Sequence, residues 1–324
     1  MSATGTSTAA PARSTHQHPA RAARTALHHA AALAGLDPAG AQLLHQGRNF
    51  VFRLRGGVIA KVHHRRRYAD VQRDARAAQA LLAAGIPTAA PFGDGRPITA
   101  GGLVVSFTED LGTTEPTWGQ LAEAAACLHH IPPLAGLGLP LIDKITSAAR
   151  RITLLPSSVI SETERARLLA LLTRTADAYT SITWPAPRTV HGDLNPGNGA
   201  LLASGGTALL DLETLSIGHP GFDQAAAAFA RDAFGLDPSV HEDWVDNYGY
   251  DITTAAGGLP YRTISMLLGI SAYLFYAELG TQGRPEVLPQ ARHRLDTLLA
   301  NRQFPWDWAP ANPVRAAAAA GTAG

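Results

Sequence analysis

The chain has 324 residues, 46% hydrophobic and 16% charged, a globular composition long enough for two lobes with cores of their own. Its single cysteine, Cys127, excludes an intramolecular disulfide and a cysteine-based zinc site, and fits a reducing cytoplasm. Net charge is +1, but residues 1–111 hold 13 Arg and Lys against 6 Asp and Glu, whereas residues 112–310 hold 13 against 20. That asymmetry points to a polyanionic ligand on one side and a cationic one on the other, or else to two solvated faces.

Residues 1–20 are rich in Ser, Thr, Ala and Pro and are expected to be a disordered tail. No apolar core of a signal peptide is visible in them. "RTALHHAAALAGL" (24–36) predicts a short helix. "FVFRLR" (50–55) and "VIAKVHH" (58–64) flank Gly56-Gly57, a hairpin signal. A helix over 68–84 follows, stopped by Gly85 and Pro87, and "GLVVSFT" (102–108) reads as a further strand. Helices are predicted at 117–131, at 161–182 with Ser161 and Glu164 in capping-box register, and near 223–233, 238–248, 260–279 and 287–300. The apolar run 264–280 is interrupted by Ser, Tyr and Glu278, so a buried helix is expected rather than a membrane span. Two short strand-like pieces, 188–190 and 207–213, lie among these helices, and residues 311–324 read as a second disordered tail. The fold class is therefore α+β: a first lobe over 21–108 with a small antiparallel sheet, and a larger helical lobe over 109–310.

Lysine is nearly absent; Lys61 and Lys144 stand against 25 arginines. Neither follows a glycine, so there is no G-x4-G-K-[ST] phosphate loop, and G-x-S-x-G and H-E-x-x-H are missing too. Cys127 falls mid-helix and is expected to be buried packing. The informative stretch is "HGDLNPGN" (191–198). Asp193 facing a bound hydroxyl could accept its proton and aim its oxygen, and Asn198 offers a neutral oxygen ligand for Mg²⁺; kinase catalytic loops divide the labour this way over the same five-residue spacing. A capped turn that satisfies loop amides is the plainer reading. Thirteen residues on, "LLDLE" places Asp211 at the end of an apolar strand as a second oxygen ligand. Glu213 is expected on the same face, for a second metal or a water, or as a strand-end charge.

With "VHGDLNPGN", "LLDLE" and "GHPGFDQAAAAFA" (218–230) in this order, the chain resembles the aminoglycoside phosphotransferase and choline kinase-like family, which has a protein-kinase-like two-lobe fold. "VIAKV" and "QRDARAAQALLAAGIPTAAPF" (72–92) resemble its first lobe, so the similarity runs over about 40–300. The resemblance implies an ATP- and Mg²⁺-dependent kinase with an alcohol acceptor. It makes Asp193 the catalytic base and gives Asn198 and Asp211 to Mg²⁺. Lys61 goes to the α- and β-phosphates, and His191 and Asp223 to the catalytic loop, as its braces. Asp74 stands where the family's helix partner of the strand lysine is usually Glu, with Asp70 as a rival. "HQGRNFVF" (45–52), with one glycine, stands at the phosphate-covering loop, and Gly199 occupies a position usually apolar.

For the acceptor, "LDPSVHEDWVDNYGYD" (236–251) carries Glu242, Asp243 and Asp246 with Trp244, Tyr248 and Tyr250. Acids with aromatics suit an amino-bearing antibiotic or amino sugar, giving an expectation of antibiotic resistance; a solvated acidic helix is the plainer reading. A Ser or Thr of a peptide is a second acceptor, and a catalytically silent binding module a third possibility. The short run at 65–67 is no extended basic stripe, so nucleic acid is not expected as a partner.

Overall fold

The computed structural model describes residues 17–47, 49–63, 66–134, 136–300, 302 and 304–309. Most of the two expected tails, residues 1–16 and 311–324, and Arg48, His64 and Arg65 lie outside these. The described residues form two compact units. The first joins the chain up to Val71 with Phe92–Asp110; the second is Gln72–Pro91 with the chain from Leu111. The first unit is thus discontinuous, where a contiguous 21–108 lobe was expected.

In the first unit, helix α1 (Gln17–Leu33) precedes strands β1 (Gln42–Gln46), β2 (Asn49–Leu54) and β3 (Val58–His63). Between β3 and β4 the chain forms helix α2 (Tyr68–Ala83), most of which belongs to the second unit; β4 (Ile98–Ala100) and β5 (Leu103–Glu109) return to the first. α1 starts earlier than the predicted residue 24 and takes in four residues assigned to the tail. The five strands form one antiparallel sheet in the order β1-β2-β3-β5-β4. The predicted hairpin is β2–β3, closed by Leu54 opposite Val58 across a turn in which Gly56 and Gly57 take φ of +79° and +74°, a conformation open to glycine. Strand alternation turns Phe50, Phe52, Ala60, Val62, Val105 and Phe107 to the face covered by Ala23, Leu27, Ala30 and Ala31 of α1. Lys61, opposite Val51 and Ser106, is on the other face, where His63 Nε2 meets Ser106 Oγ at 2.9 Å.

α2 ends as its glycine predicts. Gly85 has φ +79°, Ile86 N–H donates to Leu81 O and Gly85 N–H to Leu82 O, a Schellman stop. In the second unit, α3 (Trp118–His130), α4 (Lys144–Leu154) and α5 (Glu162–Ser181) are followed by strands β6 (Arg188–Val190), β7 (Gly199–Leu201), β8 (Thr207–Leu209) and β9 (Ser216–Gly218). Helices α6 (Gly221–Gln224), α7 (Ala226–Phe234), α8 (Ser239–Tyr248), α9 (Leu259–Thr281) and α10 (Leu288–Leu299) complete it. Full capping boxes open α3 (Thr117, Gln120) and α5 (Ser161, Glu164). The apolar run 264–280 belongs to α9, whose Ile264, Leu267, Ile270, Leu274 and Ala277 are buried against α5, α10 and the segment carrying Trp306 and Trp308. This apolar helix therefore serves as core. Cys127 departs from expectation: it is exposed, because Ala124, Ala125 and Leu128 take the buried face of α3.

Candidate active site

The loop 191–198 leaves β6, which pairs with β9. Its first turn is gripped from inside. Asp223 of α6 is fully buried; its Oδ2 accepts from His191 N–H at 2.7 Å and its Oδ1 from Gly192 N–H at 2.7 Å. Behind it runs a chain of donors: Gln224 Nε2 to the phenolic Oη of Tyr248 at 3.0 Å, the Tyr248 hydroxyl to His129 Nδ1 at 2.8 Å, and His129 Nε2 to Asp223 Oδ2 at 3.0 Å. Burial works to raise the Asp223 carboxyl. The His129 hydrogen bond, the His129 and His191 rings and the Gly192 amide outweigh it and hold the group below the usual carboxylate range. Burial also pushes the Tyr248 phenol up to about 12, so it stays a neutral donor.

Gly192 has φ +81°, and a Cβ there would lie 2.9 Å from the Thr214 carbonyl, so the turn requires glycine. Thr214 Oγ1 in turn donates to His191 O at 2.8 Å. The His191 ring is wholly buried, with Nε2 donating to Leu210 O at 2.7 Å, a bracing contact between the two segments of the site. Leu194 is driven into the core while its neighbour Asp193 is exposed.

Asn198 ties the remaining pieces together. Its Nδ2 donates to Asp193 O at 2.7 Å and to Asp193 Oδ2 at 3.1 Å, and its carbonyl accepts from Leu210 N–H at 2.8 Å. With its NH₂ edge on Asp193, the amide presents Oδ1 on the other edge. Leu210 is therefore held by the loop at both its N–H and its C=O, and Asp211 comes next. β8 is fixed from its other side by Leu209 N–H to Pro87 O and Thr88 Oγ1 to Leu209 O. Asp211 is exposed in the left-handed region (φ 57°, ψ 59°), a conformation uncommon outside glycine that concentrates at functional sites. Asp193, Asn198 and Asp211 thus sit on one hydrogen-bonded knot.

Glu213 departs from its expected placement. β8 ends at Leu209 and Leu212–Thr214 form a 3-10 turn, so strand alternation does not set Glu213 on the face of Asp211. Gly199, at a position usually apolar, permits a close approach: a Cβ there would lie 2.7 Å from Pro116 Cγ. Lys61 belongs to the first unit and is half-buried on β3; Asp74 belongs to the second and pairs with Arg73 at 3.5 Å. Asp70 pairs with Arg67 at 3.2 Å.

The acid–aromatic helix is real, yet half of its expected surface is used internally. Asp243 Oδ2 accepts from Gly119 N–H at 2.7 Å, capping α3. Trp244 is wholly buried, stacked on Tyr248 and edge-on to Trp118, so neither Trp244 nor the His129-bound Tyr248 is available to a cation. Glu242, Asp246 and Tyr250 remain exposed. Two contacts were missed in sequence. His129 was hidden in "CLHHI", and Lys144, one of only two lysines, donates from α4 to Gly192 O at 2.9 Å.

Among the described residues no three His, Cys, Asp or Glu side chains cluster as a closed metal cage. The exposed Asp211 carboxylate and the Asn198 amide oxygen are hard donors, and they fit Mg²⁺, which takes one or two protein ligands and completes its shell with phosphate and water oxygens.

A small antiparallel sheet unit, together with a helical unit that carries a braced Asp-x4-Asn loop and a following strand-end Asp, defines a kinase-like protein. The profile of the phosphotransferase enzyme family matches residues 40–261, and the chain belongs to that family. Solved structures share the fold. An amicoumacin kinase, hAmiN, in complex with AMP-PNP, Ca²⁺ and Ami has TM-score 0.66 and 15% identity, covering 88% of this chain and 97% of its own. The choline kinase LicA from Streptococcus pneumoniae has 0.59 and 15%, covering 89% and 100%. An aminoglycoside phosphotransferase from Streptomyces rimosus has 0.55 and 20%, covering 76% and 97%. No curated protein sequence matches the chain.

Proposed function

We propose that the protein transfers the γ-phosphoryl group of ATP to a hydroxyl of a small molecule. The observation that carries this reading is the knot of Asp193, Asn198 and the Leu210–Asp211 segment, held from within by Asp223. The exposed Asp193 carboxylate orients the acceptor hydroxyl and takes its proton. A bond forms between that oxygen and the γ-phosphorus, the bond to the β,γ-bridging oxygen breaks, and nucleoside diphosphate leaves. Asn198 and Asp211 would hold Mg²⁺, with Glu213 as a further oxygen nearby in sequence. When bound, the ion neutralises charge on the phosphates. Lys61 would serve the α- and β-phosphates. Most of the acceleration is positioning and electrostatics, which suits a loop this firmly braced.

An amino-bearing antibiotic or amino sugar is the acceptor class that Glu242, Asp246 and Tyr250 suit best, and named relatives of this fold include kinases of amicoumacin and aminoglycosides. The test is an ATP and GTP consumption screen over hydroxylated antibiotics, amino alcohols including choline, and Ser/Thr peptides, with mass spectrometry of each acceptor. One phosphoryl group gained by a small molecule is the expected result. Gain by peptides alone would move the acceptor class to proteins, and binding of nucleotide with no transfer to anything would contradict the reading.

A further inference from the structure

The loop has a second grip, from a helix the family motifs do not include. α4 begins at Lys144, behind an N-cap in which Asp143 Oδ1 accepts from Thr146 N–H at 2.8 Å. The Lys144 ammonium donates to Gly192 O at 2.9 Å and lies 5.8 Å from the centre of the Phe222 ring. Gly192 O is the carbonyl of the peptide that leads into Asp193. The same glycine gives its N–H to Asp223, and the preceding carbonyl, of His191, accepts from Thr214. The N–H and C=O of both His191 and Gly192 are therefore held, and the last of these four groups is held by a charge.

α4 is itself firmly seated, so the lysine does not arrive on a loose arm. Ala148 and Ile152 are buried, Arg151 meets Glu278 of α9 at 2.6 Å, and Ile142 N–H donates to Ile217 O of β9 at 2.9 Å just before the helix. The site tolerates no bulk at this seam: a Cβ on Gly218 would run into Ile142. A half-buried ammonium needs good acceptors to offset its lost hydration, and a backbone carbonyl beside an aromatic face supplies two favourable contacts. In a chain with two lysines against 25 arginines, a lysine here supplies a compact, single-point donor in place of a planar fork.

We propose that Lys144 is a positioning residue of phosphoryl transfer: through Gly192 O it fixes the plane of the Gly192–Asp193 peptide and thereby aims the Asp193 carboxylate at the acceptor oxygen. The proposal rests on the phosphotransfer reading above. Misaiming a reacting group by about 1 Å can lower a rate on the order of 100-fold without touching the binding of either substrate. Lys144→Met retains an unbranched apolar stem and removes the charge and the donor.

The test follows turnover of MgATP, both to water and to any acceptor the screen yields, by the full-length protein and by its Lys144→Met, Lys144→Ala and Lys144→Arg variants. Expected are a fall in kcat of about 10- to 100-fold for Lys144→Met, with the Kd for ATP and the KM changed by less than about twofold and the Tm little moved. Lys144→Arg, which keeps a cationic donor, recovers part of the rate, and millimolar ethylammonium partly rescues Lys144→Ala. A merely structural lysine would shift Tm and show no amine rescue, which overturns the proposal. So would a Lys144→Met protein with wild-type kcat. Wild-type protein that binds ATP but transfers phosphoryl to neither water nor any acceptor overturns the phosphotransfer reading itself, a result distinguishable from failure at Lys144 alone.

Discussion

Replacing Asp223 with Asn would set three N–H donors against a side chain with one oxygen. In the native protein Oδ1 takes Gly192 N–H and Oδ2 takes both His191 N–H and His129 Nε2. If the amide oxygen occupies the Oδ2 position, two bonds survive and the new NH₂ faces the Gly192 N–H. A buried donor left unsatisfied costs about 1–3 kcal/mol. At about 2.1 cal/mol/K of unfolding entropy per residue, 1 kcal/mol is worth roughly 1.5 °C in a chain of 324 residues, so Tm should fall by roughly 1.5–5 °C. Asp223→Ala, which strands all three donors, should cost about 3–5 kcal/mol. The assay is denaturant unfolding of both variants beside wild type, with turnover measured at a temperature where each is folded. Turnover should fall more steeply than stability, because the Gly192 turn directly before Asp193 loses its anchor. An Asp223→Asn protein with wild-type unfolding and wild-type rate would refute the brace.

Three further outcomes are expected. Burial beneath Trp184, whose ring is 3.8 Å from that of His219, holds the imidazole down at about 4 against an ordinary 6.5. The unfolded chain therefore binds the extra proton first as pH falls, so stability should be intact above about 6.5 and drop by up to about 3 kcal/mol towards pH 4. Tm measured across this range should decline less in His219→Gln, and an unchanged slope would remove His219 as a cause. Gly192→Ala should lose about 1–3 kcal/mol, since φ is +81° and the added Cβ would press on Thr214 O at 2.9 Å; unaltered denaturant midpoints would show that the turn relaxes freely. Lys61→Ala should raise the KM for ATP, and an unchanged value would take Lys61 out of the phosphate site.

Much of this architecture was legible because its signals are local. Paired glycines at 56–57, the Gly85 stop, the Ser161 capping box and the 3.6-residue period of the helices each fix an element within a few residues. The loop 191–198 was legible for another reason: glycine, proline and short polar side chains leave it no regular structure, so its Asp and Asn need a different explanation. β1 was missed because "QLLHQ" is an exposed edge strand without apolar alternation, and its bulge between Leu43 and His45 breaks the register. α4 was legible yet went unread: "KITSAARRITL" sets Ile145, Ala148, Ala149 and Ile152 at i, i+3, i+4 and i+7, but the stripe is only two turns long and is set among polar and basic side chains. With α4 went Lys144. The acceptor helix misled because composition cannot tell an acid that faces solvent from one that caps a neighbour. Asp243 and Glu242 are adjacent in sequence, yet only Asp243 meets the N-terminus of α3. Cys127 shows the same limit, since one step along a helix separates a buried position from an exposed one.

The most direct measurement follows γ-labelled ATP through wild type and Asp193→Asn side by side, with nucleotide affinity read by calorimetry on the same samples. Label should pass from nucleotide to acceptor with the native protein. The variant should bind ATP with nearly native affinity and transfer at least 100-fold more slowly, on the order seen when a positioned acid–base group is lost. Equal rates from the two proteins would mean that the exposed carboxylate of the braced loop has no part in the chemistry.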